Sequence, residues 1–269
     1  MRVARILATL AAAAALAAGC GGSPAVQPAS QTTPHSGSQP AVAAQAASVR
    51  DGTIGGQRYV LARPRHPRAG RVVLYMHGAG SNATHAVDDP RLGSLTAALL
   101  AAGYAVAASD AHGDNWGDDP SVADQIALAH HLATLGLDRV YVLAESMGGL
   151  DALRVIGQVP VRAWAGLYPV CNLASVDAVG TYSAAIRAAN GGTVPPSLSP
   201  VRPAPLHGLP MRFWASPSDS VVPKAQNTDV CAANATADGA RVTVTATTGD
   251  HGDASNFDPY GLVGFFDVH

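Results

Sequence analysis

The segment Val140–Gly149 constrains this chain more than any other. Val140-Tyr141-Val142-Leu143 is a β-forming run, and a helical pattern begins near Gly148. Ala144-Glu145-Ser146-Met147 must therefore turn the chain from strand to helix within a few residues. A turn that sharp exposes the hydroxyl of Ser146 and tolerates only small residues two places before and two after it. Ala144 and Gly148 stand there, and Gly149 lets the helix pack close to a sheet. An ordinary helix N-cap is the blander reading of Ser146.

The rest of the chain from about residue 50 repeats this strand-to-helix unit. Expected strands are 58–61, 72–77, 105–110, 140–144, 163–168, 211–215 and 242–246, with an eighth near 50–56. Several are near-continuous apolar runs, as in parallel strands buried on both faces. Helices are expected near 91–102, 121–135, 148–157, 223–235 and 258–267. The helix at 121–135 has a start signal, Asp119-Pro120-Ser121, and a stop signal, Gly136. This alternation argues for an α/β fold with a mostly parallel sheet. The Pro-, Gly- and Ser-rich stretch 171–209, with a short helical piece at 182–189, breaks the rhythm and reads as a small cap.

Chemistry-bearing residues stand at the expected strand ends. His77-Gly78-Ala79-Gly80 follows the strand 72–77. Glycines there let backbone amides approach a carbonyl that gains negative charge during acyl transfer. The amides of Met147 and Ala79 are the candidate oxyanion donors. His251, in Gly249-Asp250-His251-Gly252-Asp253 after the last strand, is the candidate general base. Asp219, in the loop after 211–215, is the candidate acid that orients it. Capping the next helix is the alternative for Asp219, with Asp229 and Asp177 as reserves. His112-Gly113-Asp114 repeats the His-Gly-Asp tripeptide but precedes Ser146. His112 and Trp116, in the polar loop 110–117, are candidate pocket residues. A turn held by its own Asx hydrogen bonds is the alternative for that loop.

Ser146, Asp219 and His251 in that order, with His77-Gly78-Ala79-Gly80 upstream, resemble the α/β-hydrolase superfamily over residues 57–269. Ala144 departs from the usual first glycine of the nucleophile motif. The resemblance implies an α/β-hydrolase fold, a mostly parallel sheet of about eight strands, and an acyl-enzyme on Ser146. It also implies no cofactor. The expected activity is a serine hydrolase of small carboxylic esters. A peptidase or amidase similar to the prolyl-oligopeptidase group, and a non-catalytic surface-binding lipoprotein, are alternatives on the same fold.

Residues 1–19 read as a signal peptide. Arg2 and Arg5 precede a largely apolar run of 13 residues, Ile6–Ala18, which is too short to span a bilayer comfortably. Leu16-Ala17-Ala18-Gly19-Cys20 resembles a bacterial lipobox, so Cys20 is the candidate lipid-anchor site on an extracytoplasmic membrane protein. Plain secretion is the alternative. Residues 20–49 lack aromatic and acidic residues and read as a disordered tether. Residues 50–269 then form the catalytic domain. Three cysteines allow one lipid site and one disulfide, Cys171–Cys231, with two free buried thiols as the alternative. Neither cysteine has metal-ligand spacing to a partner, so no metal is expected. A net charge of −2 supplies no basic surface for nucleic acid.

Overall fold

The computed structural model describes Thr33–Pro34, residues 39–202 and residues 206–269. The strands among them are β1 (Thr33–Pro34), β2 (Ala46–Ile54), β3 (Gln57–Pro64), β4 (Arg71–Met76), β5 (Ala105–Ser109), β6 (Arg139–Glu145), β7 (Val161–Leu167), β8 (Pro210–Ala215) and β9 (Arg241–Ala246). They form one sheet in the order β1-β2-β3-β5-β4-β6-β7-β8-β9. Pairing is parallel from β5 through β9. An antiparallel edge of β1, β2 and β3 completes the sheet. Gly55 and Gly56 turn β2 into β3 with φ of 60° and 87°, the left-handed pair that a two-residue hairpin needs.

Alternate residues of the central strands enter two separate cores. Val72, Leu74, Met76, Val140 and Val142 face one side, packed under α4 (Asp119–Thr134), α5 (Gly148–Val155) and α8 (Thr228–Ala237). Val73, Tyr75, Tyr141 and Leu143 face the other, under α1 (Pro40–Gln45), α2 (His85–Asp88), α3 (Pro90–Ala101) and α9 (Pro259–Asp267). Burial on both faces is why these strands read as unbroken apolar runs. The α4 start lies one residue earlier than its sequence signal suggests. Asp118 is the cap, its carboxylate accepting from the Ser121 amide at 2.8 Å.

The strand order reverses about β4: β5 lies on one side of it and β6 on the other. In open α/β sheets ligands bind in the crevice at the carboxyl ends of the strands beside such a reversal, here β4 and β6. The His77 and Ser146 turns leave the sheet there.

Two expectations need correction. The tether does not extend to residue 49, because residues 39–49 belong to the folded body. The Gln39 amide donates to Val87 O at 2.8 Å, its side chain donates to Asp88 O at 2.7 Å, and Val42 of α1 is fully buried. Gly93 of α3 leaves room for this docking, since a Cβ there would lie 3.1 Å from the Gln39 side chain. Composition misses this because backbone pairing and a few small apolar residues, Val42, Ala46 and Val49, hold the segment. Residues 1–19 and Cys20 lie outside the described residues.

The second correction concerns Cys171 and Cys231. Both are buried, and both are free thiols. Burial first, then Cys231, pushes the Cys171 thiol up.

The cap expected in 171–209 contains two helices, α6 (Leu173–Val179) and α7 (Ser183–Ala189). Buried Asn227 holds its root. The Asn227 side-chain oxygen accepts the amides of Cys171 and Asn172 at 3.1 and 3.0 Å.

Candidate active site

Ser146 sits in the turn between β6 and α5 with φ of +48°, a conformation costly for any residue with a Cβ. The turn is held from both sides. The Ser146 amide donates to Leu167 O at 3.0 Å, and its carbonyl accepts from the Val170 amide at 2.8 Å. Glycines allow the close approach: a Cβ on Gly148 would lie 2.2 Å from Met76 O, and one on Gly149 would lie 2.6 Å from Val170 O. These contacts are with backbone, which cannot swing aside. Gly148→Ala is therefore expected to destabilise the fold by about 3 kcal/mol and to disturb the His77 turn. Chemical denaturation alongside an activity assay checks both effects.

The structure brings Ser146, His251 and Asp219 into one line. Ser146 Oγ lies 3.0 Å from His251 Nε2, and His251 Nδ1 lies 2.8 Å from Asp219 Oδ2. Asp219 is buried, and its second oxygen accepts the amides of Val221 and Val222 at 2.9 and 2.8 Å. The carboxylate therefore has one fixed orientation. Asp250, beside His251, holds the acid loop and the base loop together by accepting from the Ser220 amide and hydroxyl at 2.8 and 2.9 Å. Such a line can move a proton from a hydroxyl onto an imidazole.

Met147 follows Ser146 in the chain, and Gly78, next to Ala79, lies against the Ser146 side chain; neither the Met147 nor the Ala79 amide donates to another described residue. The loop after β5 fixes the Ala79 turn. Asp114 Oδ1 accepts the Gly80 amide at 2.6 Å, and Asp110 Oδ1 accepts the Ala83 amide at 3.0 Å. His77 is buried between two carbonyl oxygens, those of Gly78 at 2.9 Å and Asp110 at 3.0 Å. It braces the turn and does not face Ser146 Oγ.

The two expected pocket residues have other neighbours. His112, with a left-handed backbone (φ +63°), places its Nδ1 2.6 Å from Asp124 Oδ2 of α4. Trp116 is buried. Its amide meets Met147 Sδ at 3.3 Å, and its ring packs on Tyr182 with centroids 5.0 Å apart. It supports the Met147 side of the turn from beneath the cap. Of the reserve acids, Asp229 pairs with Lys224 and Asp177 with Arg187.

Five non-glycine residues among those described have positive φ: Ala111, His112, Trp116, Ser146 and Tyr168. All lie in the loops after β5, β6 and β7, so backbone strain is concentrated around the crevice. Among the described residues no group of three His, Cys, Asp or Glu side chains could hold a metal ion. An open cavity of about 580 Å³ lies at the opposite, amino ends of β7, β8 and β9, away from these groups.

Asp151, fully buried on α5, escaped the sequence reading. Ser121 Oγ donates to its Oδ1 at 2.8 Å and Asn115 Nδ2 to its Oδ2 at 3.2 Å, tying α5 to the loop after β5. Burial pushes its carboxyl up to about 6, only partly offset by Ser121, His77 and Asn115. The folded value lies above the unfolded one, so the stabilising contribution is complete below about pH 4 and is lost as pH rises through about 6. Relative to Asp151→Asn, the wild type is expected to gain about 2 kcal/mol between about pH 7 and pH 4. Urea unfolding of both proteins across that range measures it.

The fold is that of the α/β-hydrolases. The thermophilic carboxylesterase EstE1, cloned from a metagenomic library, matches with a TM-score of 0.62 at 22% identity, covering 82% of this chain and 86% of that one. The esterase EstE5, in crystals soaked with p-nitrophenyl butyrate, matches with a TM-score of 0.60 at 20% identity over 82% of each chain. An esterase of the bacterial hormone-sensitive lipase family matches with a TM-score of 0.57 at 21% identity, again over 82% of each. No family model and no curated protein matches the chain.

Proposed function

We propose that this chain is a serine hydrolase that cleaves small carboxylic esters through an acyl-enzyme on Ser146. The observation that carries this reading is the continuous hydrogen-bonded line Ser146–His251–Asp219 beside two uncommitted amides. In the reaction, Ser146 Oγ attacks the acyl carbon while His251 Nε2 takes its proton. The amides of Met147 and Ala79 stabilise the oxyanion. His251 then protonates the leaving alcohol, and water activated by the same imidazole releases the acid. Asp219 keeps the proton on Nδ1, so that Nε2 is free to accept.

The structures of similar fold favour esters over amides, since their names describe esterases and a carboxylesterase. The deciding experiment compares a p-nitrophenyl ester with the matched p-nitroanilide. Rapid ester turnover with much slower anilide turnover is expected. Comparable anilide rates would point to an amidase, and no turnover of either would point to a binding protein.

The sequence further supports export and a lipid anchor. Residues 1–19 would direct the chain across the membrane, and Cys20 would carry the lipid. Membrane fractionation tests this: Cys20→Ala is expected to release the protein into the soluble extracytoplasmic fraction. An unchanged membrane association would contradict it.

A further inference from the structure

Glu145, the residue before Ser146, is a buried carboxylate that the proposed proton relay does not use. Each of its oxygens accepts a tyrosine hydroxyl. Tyr75 of β4 donates to Oε2 at 2.5 Å, and Tyr168, just past β7, donates to Oε1 at 2.6 Å. Both hydroxyls are buried, and burial first, Glu145 second, pushes both phenols well up, so they remain donors. Glu145 thus ties together the two strands that flank β6.

Tyr168 carries this lock to the proposed base. Its ring meets the His251 imidazole at a centroid distance of 4.5 Å and an interplanar angle of 63°. Its backbone is committed to that place. With φ of +38°, it is held by its amide donating to Trp214 O at 2.7 Å. A rigid strained tyrosine is hard to explain by packing alone, because a glycine would adopt this backbone without cost.

We infer that Tyr168, fixed by Glu145, is a positioning residue for His251 and that the pair favours the imidazolium formed during acyl transfer. The inference rests on the serine-hydrolase reading. Asp219 holds Nδ1 and Ser146 meets Nε2, while the Tyr168 ring packs against the imidazole in a T-shaped arrangement and restrains it on a third side. Glu145 adds a negative charge at the hydroxyl end of that ring. Arg91 of α3, which donates to Gly252 O at 3.2 Å, opposes that charge and is itself paired with Asp89 at 3.4 Å. Asp250 is the acidic neighbour on the His251 loop, its carboxylate accepting the His251 amide at 2.7 Å.

The test is the pH profile of kcat/KM for a p-nitrophenyl ester, measured on wild type, Glu145→Gln and Tyr168→Phe. Glu145→Gln keeps the side-chain shape and removes the charge. Its acid limb is expected to shift down by about one pH unit, with a lower plateau kcat and an unchanged KM. Tyr168→Phe keeps the ring but frees it from the lock, and is expected to lower kcat about tenfold at constant KM. A purely structural role would leave the acid limb in place. A folded Glu145→Gln with a wild-type limb, or a folded Tyr168→Phe with wild-type kcat, overturns the inference. If Glu145→Gln does not fold, the kcat of Tyr168→Phe decides alone. Fluorophosphonate labelling of wild-type Ser146 separates the two failures: absent labelling sinks the serine-hydrolase reading, whereas normal labelling with unchanged kinetics in both variants sinks only this inference.

Discussion

Ser146→Ala is expected to lower kcat for a p-nitrophenyl ester by about 10⁴- to 10⁶-fold while leaving the unfolding transition almost unmoved. The size follows from losing the only proposed covalent route. The remaining rate would come from substrate binding and the oxyanion amides. The small stability effect follows from local structure. Ser146 Oγ makes its hydrogen bond to His251, whose side chain retains 18% exposure and can turn to water instead. Alanine bears the same Cβ in the same left-handed conformation, so it neither relieves nor adds strain. Steady-state kinetics and urea denaturation on one preparation test both halves. A variant retaining even a tenth of the activity would contradict the assignment.

Asp219→Asn is expected to cost about 10⁴-fold in kcat, through the wrong imidazole tautomer rather than a displaced side chain. Asp219 Oδ1 is pinned by the Val221 and Val222 amides, and only an oxygen can accept both. The side-chain nitrogen of the substituted asparagine must then face His251 Nδ1. A donor there forces Nδ1 to accept, which leaves the proton on Nε2, facing Ser146 Oγ. The base is then occupied before the reaction starts. Because the shape is conserved, KM should change little and the loss should fall on kcat. A drop confined to KM, or a loss under tenfold, would mean that Asp219 is only a loop brace.

The contrast between these residues and the ones the sequence missed has a physical basis. The meeting of Ser146, His251 and Asp219 is legible because each stands in a loop after a strand whose end an apolar run marks. The central strands were legible because burial on both faces leaves an apolar record in Val72–Met76 and Val140–Ala144. Glu145, Tyr75 and Tyr168 left no such record. Their meeting depends on β4, β6 and β7 lying side by side, which no local pattern encodes. Asp110 and Asp114 looked like turn residues, yet they hold the Ala79 turn across some thirty positions of chain, at |i−j| of 27 and 34. His112 has the same tripeptide as His251, but its place before Ser146 in the chain sets it apart, and its imidazole lies against Asp124. The segment 39–49 was misread for a related reason. Its docking relies on backbone hydrogen bonds and on Gly93, which its own composition does not reveal.

The central claim is that Ser146 becomes the acylated nucleophile. Intact-mass analysis after treatment with a fluorophosphonate, followed by peptide mapping, tests it most directly. The account predicts one adduct per chain, on Ser146, missing from Ser146→Ala and strongly slowed in His251→Ala. A folded wild-type protein that forms no adduct, or undiminished labelling of Ser146→Ala, would contradict it.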